Sequence, residues 1–176
     1  HSVSAGETIA AAPFVEHLVE AGFPCLVTNM TPTGRERVRT LLGDGVENCY
    51  APYDLPGAVR RFLDRNRPRL LVTIDTELWP NILAGCASRN IPTALINGRM
   101  AARSSEGYAR FPLTGPMLRS MSLIAVQTEA HARRFRELGA DREKVQVTGS
   151  IKFDGDYAAG HDSRLAKARE LLADRP

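Results

Sequence analysis

Three carboxylates in this chain stand where a strand-length apolar run gives out. Glu7 lies in Ser2-Val3-Ser4-Ala5-Gly6-Glu7, and Asp75 and Glu77 close the run Arg69-Leu70-Leu71-Val72-Thr73-Ile74, just before Trp79-Pro80-Asn81. Open α/β sheets carry their chemistry beyond the carboxyl ends of strands, in the mouth of the following helix. An ionised carboxylate there, within hydrogen-bond reach of a substrate hydroxyl, acts as a general base. Ser4 and Glu7 also have the spacing of a capping box, in which the hydroxyl accepts the Glu7 N–H and the carboxylate reaches back. The spacing fits both readings, and Glu7 cannot fully serve both at once. For Asp75-Thr76-Glu77, either Asp75 or Thr76 would cap the next helix, which Pro80 opens at its first turn. Capping uses one acid and leaves the other free, and a nearby Arg would hold Glu77 ionised. Trp79 reads as a core plug.

Anion chemistry has its own candidates. Small residues at Ser4 and Gly6 leave room above a helix N-terminus, where free amides and the helix dipole favour negative charge. Thr31-Pro32-Thr33-Gly34-Arg35-Glu36 offers two hydroxyls, a glycine and a guanidinium beside another helix start, a fair seat for a phosphate. Thr33 and Glu36 also fit a capping box. Arg99 and Arg103 follow a further strand on the same expected edge, where solvated loop arginines are the plainer reading. Lys152, in Gly149-Ser150-Ile151-Lys152-Phe153-Asp154, stands where the last strand ends.

Positioning these groups needs a regular scaffold, and the pattern supplies one. Strand-length apolar runs at 25–29, 48–51, 70–75, 93–97, 123–127 and 145–148 alternate with amphipathic helical segments at 8–20, 33–42, 55–66, 80–89, 106–118 and 129–138. Repeated β-α alternation predicts an α/β fold with a doubly wound parallel sheet, and residues 1–4 read as the tail of a first strand. Gly22, Gly43 and Gly139 sit where helix C-caps are expected. Pro13 predicts a kink or a later start for the first helix. Residues 156–160 read as a linker, and a charged amphipathic helix follows at 162–173 with nothing to pack on, as if it began a second domain.

Composition removes several classes. The chain has 176 residues, a hydrophobic fraction of 43%, an aromatic fraction of 6% and a net charge of +3. That length suffices for one domain with a real core, and the few aromatics argue against a stacking surface for nucleic acid. Arg60, Arg61, Arg65, Arg67 and Arg69 read as a solvated helix face, with an anionic partner such as a phosphate or a membrane headgroup as the sharper alternative. Cys25, Cys49 and Cys86 lack metal-ligand spacing, and His1, His17, His131 and His161 do too, so no metal site is expected. No G-x-G-x-x-G follows a strand and no P-loop occurs, which argues against dinucleotide or ATP binding. No nucleophile elbow is present.

The strand-end motifs occur together and in order: HSVSAGE, TNMTPTGRERV, PYDLPGAVRRFL with RPRLLVTIDTELWPN, then INGRM, GYARFP, LIAVQTEAHARRFRELGA and VTGSIKFD. This ordered set closely resembles bacterial 3-deoxy-D-manno-octulosonic acid (Kdo) transferase, the lipid A glycosyltransferase, from the first residue to about Asp154. The resemblance implies a Rossmann-like domain forming the N-terminal half of a GT-B glycosyltransferase fold over 1–155, with 156–176 as linker and first helix of a C-terminal donor domain. It implies transfer of Kdo from CMP-Kdo to a lipid A precursor in lipopolysaccharide biosynthesis, as an inverting displacement. No cofactor is implied, and the CMP-Kdo donor would be bound mainly by the other domain.

Residue by residue, Glu7 matches the family's proposed general base and Glu77 its second acid, which positions substrate. Ser4, Gly6, Thr31, Thr33, Gly34, Arg35, Arg99 and Arg103 would bind the acceptor, and Lys152 would lie at the domain junction. Asp75 stands where the family usually has Glu, and Asn97-Gly98-Arg99 where it usually has Asn-Ala-Arg, so the role of Asp75 stays open. The family acts at the cytoplasmic face of the inner membrane, held by an N-terminal hydrophobic anchor outside this chain. Expected partners are the lipid A precursor, CMP-Kdo and that membrane surface, with no nucleic acid. Two alternatives stand beside this: a non-catalytic Rossmann-like module that binds an anionic lipid or sugar phosphate, and a GT-B glycosyltransferase with another acceptor.

Overall fold

The computed structural model describes residues 1–151; the expected linker and helix at 156–176, and Lys152, lie outside them. The elements run α1 (Ala5–Glu20), β1 (Leu26–Asn29), α2 (Pro32–Leu42), β2 (Glu47–Tyr50), α3 (Pro56–Asn66), β3 (Leu71–Ile74), α4 (Pro80–Ala87), β4 (Thr93–Gly98), α5 (Ala102–Ala109), α6 (Thr114–Ser120), β5 (Leu123–Val126), α7 (Glu129–Glu137) and β6 (Val145–Val147). All strand pairings are parallel, β1 with β2 and then β3-β4-β5-β6 in order. Such strands are covered by helices on both faces, which is why they read as near-continuous apolar runs.

Residues 1–3 join the two sheets. The Ser2 N–H donates to the Thr28 carbonyl at 3.0 Å and the Met30 N–H to Val3 at 3.2 Å on one side. On the other, the Ile74 N–H donates to the His1 carbonyl at 3.0 Å, and the His1 nitrogen to Val72 at 2.5 Å. The order is thus β2-β1-(1–3)-β3-β4-β5-β6. The chain winds outward through β1 and β2, then crosses back to β3. The strand order reverses at 1–3, and the crevice at such a switch point is where open α/β sheets bind ligands.

Packing is uneven across the sheet. The larger apolar core lies around β3–β6, with Val59, Leu63, Leu83, Leu95, Leu118, Ile124 and Phe135 buried. The β1–β2 side has a small core of Val27, Val38 and Val46. Beside it lies a buried polar network that sequence reasoning missed. Asn29 Nδ2 reaches the Ser2 carbonyl, Ser2 Oγ and Thr8 Oγ1, each at 3.0 Å, and Asn29 Oδ1 accepts from Asn48 at 2.8 Å. Such a network ties together the segments it joins, here residues 1–3, α1, β1 and β2, although Asn48 Oδ1 is buried without a partner.

The expected glycine caps hold: Gly22, Gly43 and Gly139 all take positive φ. At Gly139 the following Ala140 N–H returns to the Phe135 carbonyl at 3.0 Å, a Schellman closure that needs the left-handed residue. The arginines of α3 form the expected solvated face, with Arg60, Arg61 and Arg65 exposed. Two expectations change. The helix predicted over 106–118 is two helices, because Pro112 lacks a donor and disfavours helical backbone at Phe111; the buried Thr114 hydroxyl donates to the Tyr108 carbonyl at 2.7 Å across the corner. The first helix starts at Ala5 and runs through Pro13, so the later start is excluded. Among the described residues, no helix is long and apolar enough to cross a membrane.

Candidate active site

Two helix N-termini open at the switch point. At α1, Ser4 is the N-cap in extended backbone (φ -116, ψ 167). Its hydroxyl oxygen accepts the Glu7 N–H at 3.4 Å and donates to Glu7 Oε1 at 2.8 Å. Glu7 Oε2 accepts the Val3 N–H at 2.7 Å. The expected capping box has therefore formed, reaching one residue further back than usual. Each Glu7 oxygen takes one protein donor, which leaves lone pairs for a substrate hydroxyl. Gly6 is exposed, and a Cβ there would meet only Ser4 Oγ, at 4.0 Å, so the space over this helix end is open.

The loop after β3 is organised differently from the expectation. Neither Asp75 nor Thr76 caps α4. Its amides are capped from a distance by Asp54, in the loop before α3, with Oδ2 accepting the Asn81 N–H at 3.0 Å and Oδ1 the Ile82 N–H at 2.9 Å. Asp54 was not visible as a site residue, because its partners lie 27 and 28 residues away in sequence. Asp75 adopts left-handed backbone (φ 60) and turns toward β4, accepting from Asn97 Nδ2 and Arg99 Nη2, each at 2.5 Å.

The Arg expected beside Glu77 thus pairs with Asp75 instead. Glu77 is half-buried and takes the Trp79 indole N–H at 2.7 Å. Burial pushes its carboxyl above the ordinary carboxylate range; the indole pulls it down, and the charges of Glu7 and Asp75 push it up again. The three carboxylates therefore share one electrostatic neighbourhood. Trp79 packs on the main core as expected, but it also orients Glu77, and its ring meets His1 edge-on with centroids 5.6 Å apart. The Tyr108 phenol is raised by burial and by the charge of Glu77, a neighbour that sequence reasoning did not single out.

The other expected binders differ in their surroundings. At α2 the N-cap is Thr31, not Thr33: its hydroxyl accepts the Gly34 N–H at 3.1 Å. Gly34 is buried, and a Cβ on it would lie 3.0 Å from Thr31 Oγ1 and 3.1 Å from Asn29 Nδ2, so it is needed for close packing. Thr33 is exposed and within 3.4 Å of the Thr31 hydroxyl. Arg35 is exposed and lies over the Tyr50 ring, 5.1 Å from its centroid. Arg99 is held to Asp75 with half its side chain exposed (52%). Arg103 is exposed at the start of α5. Among the described residues, no three His, Cys, Asp or Glu side chains converge as a metal ion would need.

A family profile described as 3-deoxy-D-manno-octulosonic-acid transferase (kdotransferase) matches residues 1–155. The chain is 40% identical over 158 residues to a 3-deoxy-D-manno-octulosonic acid transferase of Haemophilus influenzae, covering 88% of this chain and 37% of that protein. It is 38% identical over 185 residues to the protein of the same name from Bordetella pertussis, covering 98% and 42%. The chain thus spans about two fifths of the length of these curated relatives. Among solved structures, a UDP-GlcNAc 2-epimerase from Neisseria meningitidis bound to UDP-GlcNAc matches with a TM-score of 0.63 at 12% identity, over 95% of this chain and 52% of that one. At that identity the likeness speaks for the fold alone, and the expected Rossmann-like half of a GT-B arrangement is borne out.

Proposed function

The chain belongs to the 3-deoxy-D-manno-octulosonic-acid transferase family, and we propose that it is the acceptor-binding half of that glycosyltransferase. In this reading it holds a bisphosphorylated lipid A precursor and supplies the general base for transfer of Kdo from CMP-Kdo. Glu7 takes the proton of the acceptor sugar hydroxyl, the freed oxygen attacks the anomeric carbon of Kdo from the face opposite CMP, and CMP leaves with inversion. Glu77 positions the reacting groups from the adjoining strand end. The acceptor's phosphates sit against the N-termini of α1 and α2, with Ser4, Gly6, Thr31, Thr33, Gly34 and Arg35 below them and Arg99 and Arg103 across the crevice. The donor is bound mainly by the rest of the enzyme, with Lys152 near the junction. The site works at the cytoplasmic face of the inner membrane, anchored by a segment outside this chain.

The observation that carries this reading is the placement of Glu7. It stands at an open helix N-terminus at the switch point, with its carboxylate oriented by two donors and a second, half-buried acid within electrostatic reach. The same two donors also favour the alternative, a binding module in which Glu7 only caps α1. The test is an assay of full-length protein with CMP-Kdo and a lipid A precursor, counting sugars added per acceptor by mass. Kdo transfer that is lost in Glu7→Gln supports the enzyme. Acceptor binding without transfer in the wild type supports the module.

A further inference from the structure

Asn97, the last residue but one of β4, lies next to Asp75, and both hold left-handed backbone (φ 58 and φ 60) although neither is glycine. Asn and Asp tolerate that region better than other L residues, yet two of them bonded side by side, one just past β3 and one near the end of β4, amount to strain of the kind that gathers at functional sites. The Asn97 side chain is buried (1% exposed), and both ends of its amide are engaged. Nδ2 donates to Asp75 Oδ1 at 2.5 Å. Oδ1 accepts from Gln127 Nε2 at 2.8 Å, from the Ile151 N–H at 3.3 Å and from Ser150 Oγ at 3.4 Å.

One buried amide thus joins the carboxyl ends of four neighbouring strands: β3 through Asp75, β4 itself, β5 through Gln127, and β6 through Ser150 and Ile151. Further ties surround it. The Asp75 N–H donates to the Ile96 carbonyl at 3.0 Å, the Thr76 hydroxyl donates to the Arg99 carbonyl, and the Arg99 N–H donates to Thr76 Oγ1 at 3.2 Å. Glu77 hangs from this clamp, its own N–H returning to the Asp75 carbonyl at 3.2 Å.

We propose that Asn97 is a positioning residue that holds the Glu77-bearing loop in register with the chain's exit from β6. A displacement of Ser150 or Ile151 reaches Asp75 through a single amide, and from Asp75 it reaches the backbone that aims Glu77. The effect on turnover rests on the reading of Glu77 as a site acid; the positioning itself does not.

The test is an exchange of partners. Asn97→Asp alone puts two carboxylates at hydrogen-bond distance with no donor between them, while Asp75→Asn alone leaves two amides. The double variant Asp75→Asn/Asn97→Asp restores a donor–acceptor pair with the roles exchanged, and still offers oxygens to Gln127 and Ile151. In full-length enzyme, Asn97→Asp is expected to lower kcat by about 100-fold, the scale of a small misplacement, with the acceptor KM changed less than ~3-fold. The double variant returns kcat to within about 5-fold of wild type, the non-additivity that marks a direct coupling. A double variant no more active than Asn97→Asp, or a change confined to the melting temperature, overturns the proposal. Where Asn97→Asp alone does not fold, recovery of a melting transition in the double variant reads the same coupling. A second readout is independent of turnover: Trp79, the only Trp of this chain, reports the Glu77 loop by its emission, which Asn97→Asp shifts and the double variant restores. If Glu77→Gln keeps full turnover while the emission follows this pattern, the role of Glu77 falls and the positioning stands. If the emission does not move, Asn97 alone is excluded.

Discussion

The helices α1 and α4 begin just past the two neighbouring ribbons at the switch point, residues 1–3 and β3, and they satisfy their free amides in opposite ways. The start of α1 is closed locally, with Ser4 and Glu7 bonded to each other and to Val3. The start of α4 has no side-chain cap of its own and borrows Asp54 from the loop before α3. That loan releases the acids that follow β3. Asp75 is free to hold Asn97 and Arg99, and Glu77 is free to sit half-buried against an indole. The lesson concerns how acids are assigned at a sheet edge. Which carboxylate is available for chemistry depends on where the neighbouring cap comes from, and spacing along the chain does not reveal that.

The largest expected effect breaks the comparison at its local end. Glu7→Gln keeps an oxygen for Val3 or Ser4 but removes the proposed base, so kcat of the full-length enzyme should fall by roughly 10²–10⁴-fold, with little change in melting temperature. Glu7→Ala is a poorer test, since it also removes the carboxylate half of the capping box. Wild-type turnover by Glu7→Gln would reduce Glu7 to a capping residue and move the search for a base to Glu77.

At the other end, Glu77→Gln preserves an acceptor for the Trp79 indole and should lower kcat by about 10–100-fold, as loss of positioning does. Its pH signature has a definite sign. The folded-state pKa of Glu77 is raised, chiefly by burial, so between the unfolded pKa and the folded one the native state binds more protons than the unfolded state. The contribution of Glu77 to stability is therefore present below its unfolded-state pKa and is lost as pH rises through the higher folded-state one. Chemical denaturation at pH 4 and pH 7 should show a smaller loss on raising the pH in Glu77→Gln than in wild type. Equal pH slopes would mean that Glu77 is solvated like a surface carboxylate.

The scaffold was more legible than the site, for a physical reason. Central parallel strands buried on both faces leave apolar runs, and with the turns between them every strand from Leu26–Asn29 to Val145–Val147 falls within a residue or two of its expected span, including the more exposed edge strands β2 and β6. Glycine caps announce themselves by type, as at Gly139. Local hydroxyl caps are visible but ambiguous: Thr31 and Thr33 both precede α2, and the side chain that caps is Thr31. What remained hidden were bonds between residues far apart in sequence. Asp54 lies two residues before the first residue of α3 in sequence, yet it serves α4. Arg99 bypasses Glu77 for Asp75. The Asn29 network leaves no periodic trace, because its members come from four separate segments: residues 1–3, α1, β1 and β2.

Those distant caps give the next effect in size. Asp54→Ala strips both acceptors from the Asn81 and Ile82 amides, and should lower global stability by about 1–2 kcal/mol. If the comparison is right, the loss appears in hydrogen exchange at the first turn of α4, and in the emission of Trp79, which precedes that turn. A variant with wild-type exchange at those amides would mean that solvent caps α4 equally well.

The smallest change falls on the local cap. Ser4→Ala removes one acceptor for the Glu7 N–H and one donor to Glu7 Oε1, while the Val3 N–H still holds Oε2 at 2.7 Å. Stability should drop by about 0.5–1 kcal/mol, the low end for an N-cap hydroxyl. Turnover should fall by about 10-fold at most, because the carboxylate keeps one of its two anchors. The ratio of the two effects discriminates: a stability loss without a change in kcat makes Ser4 a cap and nothing more. A loss in kcat exceeding that of Glu77→Gln would mean that the Ser4 hydroxyl does more than orient Glu7, and that the local end of the crevice holds more of the chemistry than its base.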